Sequence, residues 1–268
     1  MKLRNSFVCL LLCIIICVSL QACAPSVPFE PVKEAADRTA ALQKYSANFY
    51  IELTLADGSV SLLYLNGTYS LDKANRLVVR DSSQTYLGDA WHETEYYDGE
   101  TLYNAEGDDK YQFKCDFASV IGQTIYATVP DIADSNVTGL ASSINESGTL
   151  YKFTAKNMAE FEKSTVGDSI YTLAALRKPQ KELTKYSDLD CEYTVSDDMV
   201  TGWQLSYTIS LYDTPPYAAG AQQNIEDYRL DVNVRIRVKI KSIGQEISAP
   251  TIDKSTYTVI ESSQDTNQ

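Results

Sequence analysis

Histidine is nearly absent: His92 stands alone in 268 residues. That scarcity removes the commonest general base and metal ligand from most mechanisms a chain of this size can host. Cationic charge is also short, since 23 Lys and Arg face 36 Asp and Glu for a net charge of −13. The first 22 residues hold two of those cations, Lys2 and Arg4, and no acid, so 21 cations face the same 36 acids beyond them, a balance of −15. Such a surface repels phosphate backbones and excludes nucleic acid as the expected partner. No Asp-x-Asp-x-Asp-Gly calcium loop and no glycine-rich phosphate loop occur. Apolar side chains make up 44% of the chain, which excludes disorder throughout, and the length allows one large domain or two small ones.

Residues 1–22 place Lys2 and Arg4 before an apolar run from Phe7 to Leu20, followed by a short stretch ending in Ala22. This charged, apolar, small-residue order is that of a secretory signal. The run is 14 residues long, whereas a bilayer-spanning helix needs about 20, so a retained transmembrane anchor is the weaker reading. Leu20-Gln21-Ala22-Cys23 resembles the bacterial lipobox, in which cleavage leaves a diacylated cysteine as the new N-terminus. The resemblance implies a lipid on Cys23 and a place in the cell envelope, on the extracytoplasmic face of a bacterial membrane. Two or more acyl chains give durable attachment, at about 0.8 kcal/mol per buried methylene. Pro25, Pro28 and Pro31 predict an extended tether over 23–33, ahead of one folded domain over 34–260 and a mobile tail over 261–268.

Cys9, Cys13 and Cys17 leave with the signal, so Cys115 and Cys191 remain once Cys23 is modified. In an exported protein that even pair is a disulfide candidate worth about 4 kcal/mol. Two separate buried thiols are the alternative, because sequence fixes no distance. Two Cys and one distant His at no ligand spacing exclude a zinc site, and nothing calls for a cofactor.

Period-two alternation marks strands over 45–55 and 60–71, joined at Ala56-Asp57-Gly58-Ser59. Shorter strand-like runs follow at 76–80, 91–97, 101–105 and 110–114, with connections short enough for an antiparallel meander. Phe117, Val120, Ile121, Thr124, Ile125 and Thr128 recur at helical spacing between Asp116 and Pro130. Residues 131–148 read as polar and turn-rich, 150–155 as a strand, and 157–176 as a helix weakened at Gly167. Strands return over 190–196 and 202–212. The cleanest is Leu230 to Lys241, where Leu230, Val232, Val234, Ile236, Val238 and Ile240 oppose Arg235, Arg237, Lys239 and Lys241. A one-residue slip there would bury four cations, so its register is fixed.

The lipobox, the meander containing EYYDGETLYNA (95–105), the helix and the final KIKSIGQEISAP (239–250) together resemble lipoproteins related to the LolA/LolB lipoprotein-carrier superfamily. That resemblance implies an α+β fold: a strongly curved antiparallel sheet, or half barrel, with two or more helices covering its concave face. It also implies an apolar ligand, such as a lipid, held in that hollow. Tyr64, Trp91, Tyr97, Trp203 and Tyr207 are the candidate lining residues, with plain core packing as the competing role for each. The alternative to a ligand carrier is an envelope interaction or sensing lipoprotein with a filled core and an unidentified protein partner.

Catalysis is not expected. Gly167-Asp168-Ser169 resembles one esterase family's nucleophile block, but that family needs a later histidine and none follows His92. Glu93 with Glu95, or Asp188 with Asp190, can be drawn as an acid and base, yet pairs of this kind arise freely in so acidic a chain. The row Arg235, Arg237, Lys239 and Lys241 invites a membrane or polyanion reading. Cross-strand pairing with carboxylates is the expectation favoured instead.

Overall fold

The computed structural model describes residues 28–122, 129–130, 132–156, 165–175, 179–213 and 224–260. Strands β1 (Lys44–Leu55) and β2 (Ser61–Asp72) form the first hairpin. A meander of β3 (Leu77–Tyr86), β4 (Asp89–Tyr97), β5 (Thr101–Glu106) and β6 (Asp109–Lys114) follows. A second hairpin pairs β7 (Val137–Asn145) with β8 (Gly148–Ala155). Then come β9 (Lys185–Tyr186), β10 (Leu189–Ser196), β11 (Met199–Tyr212), β12 (Arg229–Ile243) and β13 (Thr258–Val259). The helices are α1 (Glu30–Ala40), α2 (Phe117–Gly122) and α3 (Thr165–Ala174).

All the described strands belong to one sheet in the order β13-β6-β5-β4-β3-β2-β1-β12-β11-β10-β8-β7, with β9 added beside β11. Every pairing is antiparallel except the short parallel contact of β13 with β6. The path has two free ends, so the curved sheet is a half barrel and not a closed one. Its centre follows directly from alternation. Ile51 of β1 stands opposite Ile236 on one side and Leu65 on the other, so the apolar sides of three strands fall in register. Tyr45, Ala47, Phe49, Ile51 and Leu53 are all buried, as are Val232, Val234, Ile236 and Val238. Bending is concentrated at bulges between Ser46 and Ala47 and between Leu53 and Thr54. Gly67 contributes too: a Cβ there would collide with the Asp81 carbonyl and Ser82, so only glycine lets β2 coil so tightly over β3.

Two elements depart from the sequence reading. The extended tether expected over 23–33 ends sooner, because α1 begins at Glu30 with Pro31 in its first turn. Proline's fixed φ suits a helix start as well as an extended linker. Phe29 and Val32 are core residues, and Phe29 meets Phe153 edge-on at 5.1 Å. The second departure is β7, which occupies part of the stretch read as turns. It lies at the sheet edge, largely exposed on both sides, and so carries no alternation to detect. β3 also continues past residue 80, because its inward positions become polar at Ser82 and Gln84. Of the two helices expected from spacing, 117–122 and 165–174 are helical, while 123–128 and 157–164 lie outside the described residues.

Candidate functional site

Pairing register divides the concave side into two ends. At one, Tyr45, Leu71, Val78, Tyr97 and Leu102 form a continuous row across β1 to β5. This end is closed. The Thr39 hydroxyl of α1 accepts from the Val200 N–H at 2.8 Å and reaches the Ala35 and Val200 carbonyls at 2.9 and 3.1 Å. Phe117 of α2 stacks on Tyr97 at 5.9 Å, and the Tyr97 hydroxyl donates to the Cys115 carbonyl at 3.0 Å.

The other end is a mouth. Register brings Leu55, Tyr86, Trp91, Ile209 and Leu211 to it. Three large apolar side chains stand in solvent there: Val60 at 42%, Leu87 at 51% and Leu183 at 39% exposure. Leu87 takes a left-handed φ of 51° in the β3–β4 turn, and its N–H donates to the Leu62 carbonyl at 3.0 Å, which fixes that turn against β2. Between Leu211, Leu230, Tyr228, Pro179 and Ala175, together with the charged Asp213, Asp227 and Arg229, a cleft of about 270 Å³ opens beside the ends of β11 and β12. Its apolar walls suit an acyl chain and its charged groups a polar head.

The concave face changes character along the sheet. On β1, β2, β8 and β10 to β12 it is apolar. Midway along β3 to β5, between the apolar residues at either end, the inward positions are Arg80, Ser82, Gln84, Glu93, Glu95 and Asn104. Arg80 is buried, with Nη2 2.9 Å from Glu93 and Nε 2.7 Å from Glu95. Asn104 donates to the same Glu93 oxygen at 2.7 Å, and Gln84 to the other at 3.3 Å. The Glu93 and Glu95 pair is therefore a satisfied buried ion cluster in which Arg80 already engages both carboxylates. Nothing in the sequence separated these inward acids from solvated ones, because the partner cation lies on another strand. Beside them the Trp91 indole N–H is buried and has no acceptor among the described residues.

Of the five aromatic residues singled out from sequence, four share the concave face: Trp91 and Tyr97 on β4, Trp203 and Tyr207 on β11. Tyr97 is wholly buried and serves as core at the closed end. Burial pushes the Tyr207 phenol well above its ordinary pKa. Tyr64 belongs to the opposite side. It stands across from Glu52, is exposed, and meets Tyr50 edge-on at 5.1 Å. β2 turns its odd-numbered positions inward and Tyr64 is even.

The disulfide candidate is also corrected: Cys115 and Cys191 are both free thiols. Cys115 follows β6 near one end of the strand order and Cys191 lies on β10 near the other, where burial raises its pKa and its Sγ approaches the Leu189 carbonyl at 3.6 Å. His92 is exposed on the outer face, its Nε2 3.7 Å from Asp81 and its Nδ1 3.5 Å from the Ser83 hydroxyl. Asp188 and Asp190 line an outer polar groove. Cys23 and the Ser169 side chain lie outside what the structure describes. Among the described residues no three His, Cys, Asp or Glu side chains gather as a metal site. No described helix is long and apolar enough to cross a membrane.

No protein-family model matches the chain, and no curated protein matches it in sequence. Among solved structures, the chain is similar to a LolA superfamily protein from Nitrosomonas europaea, with 9% sequence identity and a TM-score of 0.24. That alignment covers 87% of this chain and 98% of the other.

Proposed function

We propose that this chain is a membrane-anchored extracytoplasmic lipoprotein that holds a lipid or similar apolar ligand in its half barrel. The observation that carries the reading is the asymmetry of the two ends. One is sealed by α1 and α2, while the other presents the apolar cleft beside Leu211 and Leu230 and the exposed side chains Val60, Leu87 and Leu183. An acyl chain in that cleft removes apolar surface from water at about 25 cal/mol per Å². The unmatched Trp91 N–H, on the same end of the concave face, supplies a hydrogen-bond donor for a polar group of the ligand. Attachment through Cys23 would keep the domain close to the bilayer from which such a ligand would come.

The test uses the full chain carrying Cys23→Ala, so that its own acyl groups do not confuse the analysis. Native mass spectrometry and organic extraction should reveal a co-purifying apolar molecule, and a fluorescent fatty acid should bind. Leu230→Glu should weaken that binding about tenfold, because it places a charge in the cleft. A protein free of extractable lipid that also ignores the fatty acid overturns the carrier reading. Exposed Val60 and Leu87 then favour a protein-docking role for the same rim.

A further inference from the structure

The outer face of the sheet holds a second concavity, independent of the mouth. Register aligns Asn48 of β1, Lys239 of β12, Gly202 of β11, Thr194 of β10 and Leu150 of β8 in one row across five strands. The next row holds Tyr50, Arg237, Gln204, Glu192 and Lys152. All of these but Lys152, with Ser147 of the β7–β8 turn, line a trough of about 330 Å³. Adjacent strands lie about 4.8 Å apart, so five of them give a trough about 19 Å long, which suits an elongated occupant. Its floor is low because Gly202, in mid-strand with no positive φ, carries no side chain; a Cβ there would meet the Val238 carbonyl at 3.4 Å and the Lys239 Cα at 4.0 Å, both ordinary contacts. Glycine in a strand interior weakens the strand and marks sites of close approach.

Charge selects the occupant. In a chain with 36 acids, cross-strand pairing was the expected fate of the β12 cations. It holds for Arg235, whose Nη1 lies 3.6 Å from Glu52. Among the described residues, Arg237, Lys239 and Lys241 have no carboxylate partner. Arg237 instead lies over the Tyr50 ring at 4.7 Å, which holds the guanidinium in place without neutralising it. Glu192, the acid on the trough wall, is already taken by Lys152 at 2.6 Å. The remaining lining is amide and hydroxyl: Asn48, Gln204, Thr194 and Thr201. Amides and hydroxyls suit a polyol, the cations suit an anion, and the length suits a chain.

We infer that this outer trough binds an anionic linear saccharide, with Arg237 and Lys239 contacting its carboxylates and Asn48 and Gln204 its hydroxyls. The probe is a tetrameric galacturonate added to the full chain carrying Cys23→Ala, followed by calorimetry at low and physiological salt. Saturable binding is expected, weaker at the higher salt because exposed charge contacts are screened. Arg237→Gln combined with Lys239→Gln should weaken it about tenfold. Gly202→Leu, which fills the floor without removing a charge, should weaken it by a similar factor, with circular dichroism showing that both variants remain folded. Fatty-acid binding at the mouth serves as a control that neither variant should change. Several results would overturn the inference: no galacturonate binding, equal binding of a neutral glucose tetramer, equally strong binding of inorganic phosphate, or insensitivity to both variants. Retention on anionic vesicles that is lost in the same variants would also overturn it, in favour of a membrane surface.

Discussion

Asp72 shows how one side chain secures the closed end of the sheet. It is buried at the end of β2, 2.6 Å from Lys44 Nζ, and accepts from the Asn75 side chain at 2.8 Å and its backbone N–H at 3.1 Å. The Lys44 hydrogen bond, aided by Asn75, outweighs burial and holds the carboxyl below its ordinary value. The folded state therefore releases this proton more readily than the unfolded chain does. Its stabilisation is complete above the unfolded value of 3.8 and disappears as pH falls through the lower folded one. Asp72→Asn should cost about 2 kcal/mol at pH 7, and parent and variant should converge as the carboxyl becomes protonated in acid. Urea melts at neutral pH and in acid check this; a gap that persists in acid would mean that the charge is not what matters. At this scale the sequence was partly legible. The parity that puts Tyr64 outside is visible in Leu63, Leu65, Tyr69 and Leu71, whereas the Arg80 cluster depends on a pairing that parity alone does not supply.

Among the elements, α1 is one that the sequence concealed. Three prolines between residues 25 and 31 favour an extended chain, yet Pro31 sits where a helix tolerates proline best. What decides between them is the surface at the end of β11 and β10, against which Val32, Ala35 and Thr39 pack. Thr39→Val keeps the volume and removes the hydroxyl, leaving the buried Val200 N–H without its acceptor. The expected loss is about 1–3 kcal/mol, read as a lowered thermal midpoint with unchanged secondary structure. A midpoint equal to the parent's would show that α1 is held by apolar contact alone. The strands were far easier. β1, β11 and β12 each bury alternate side chains, so their existence, boundaries and facing residues follow from period two. β7 has no buried face and gave no such signal.

For the molecule as a whole, the two proposed activities occupy opposite sides of one sheet, the apolar one at the mouth and the anion-binding one on the outer face. Both rest on where the protein is displayed, which Cys23 is proposed to determine. Cys23→Ala should move the protein from the membrane fraction to the soluble one while leaving its melting behaviour unchanged, as fractionation and calorimetry can show. Membrane retention in the variant would point to an uncleaved N-terminal anchor.

The sequence by itself determined the long strands with one buried side and which side of each is apolar, because these are short-range consequences of side-chain alternation. Its N-terminal pattern likewise carries the proposed address. Tertiary structure decided the rest: that Cys115 and Cys191 stay apart, that Arg80 lies between Glu93 and Glu95, and that two cations of β12, Arg237 and Lys239, face a trough instead of carboxylates. Each of these depends on which strands become neighbours and in what register. Those relations are fixed by burial of the whole sheet and are not contained in any single segment.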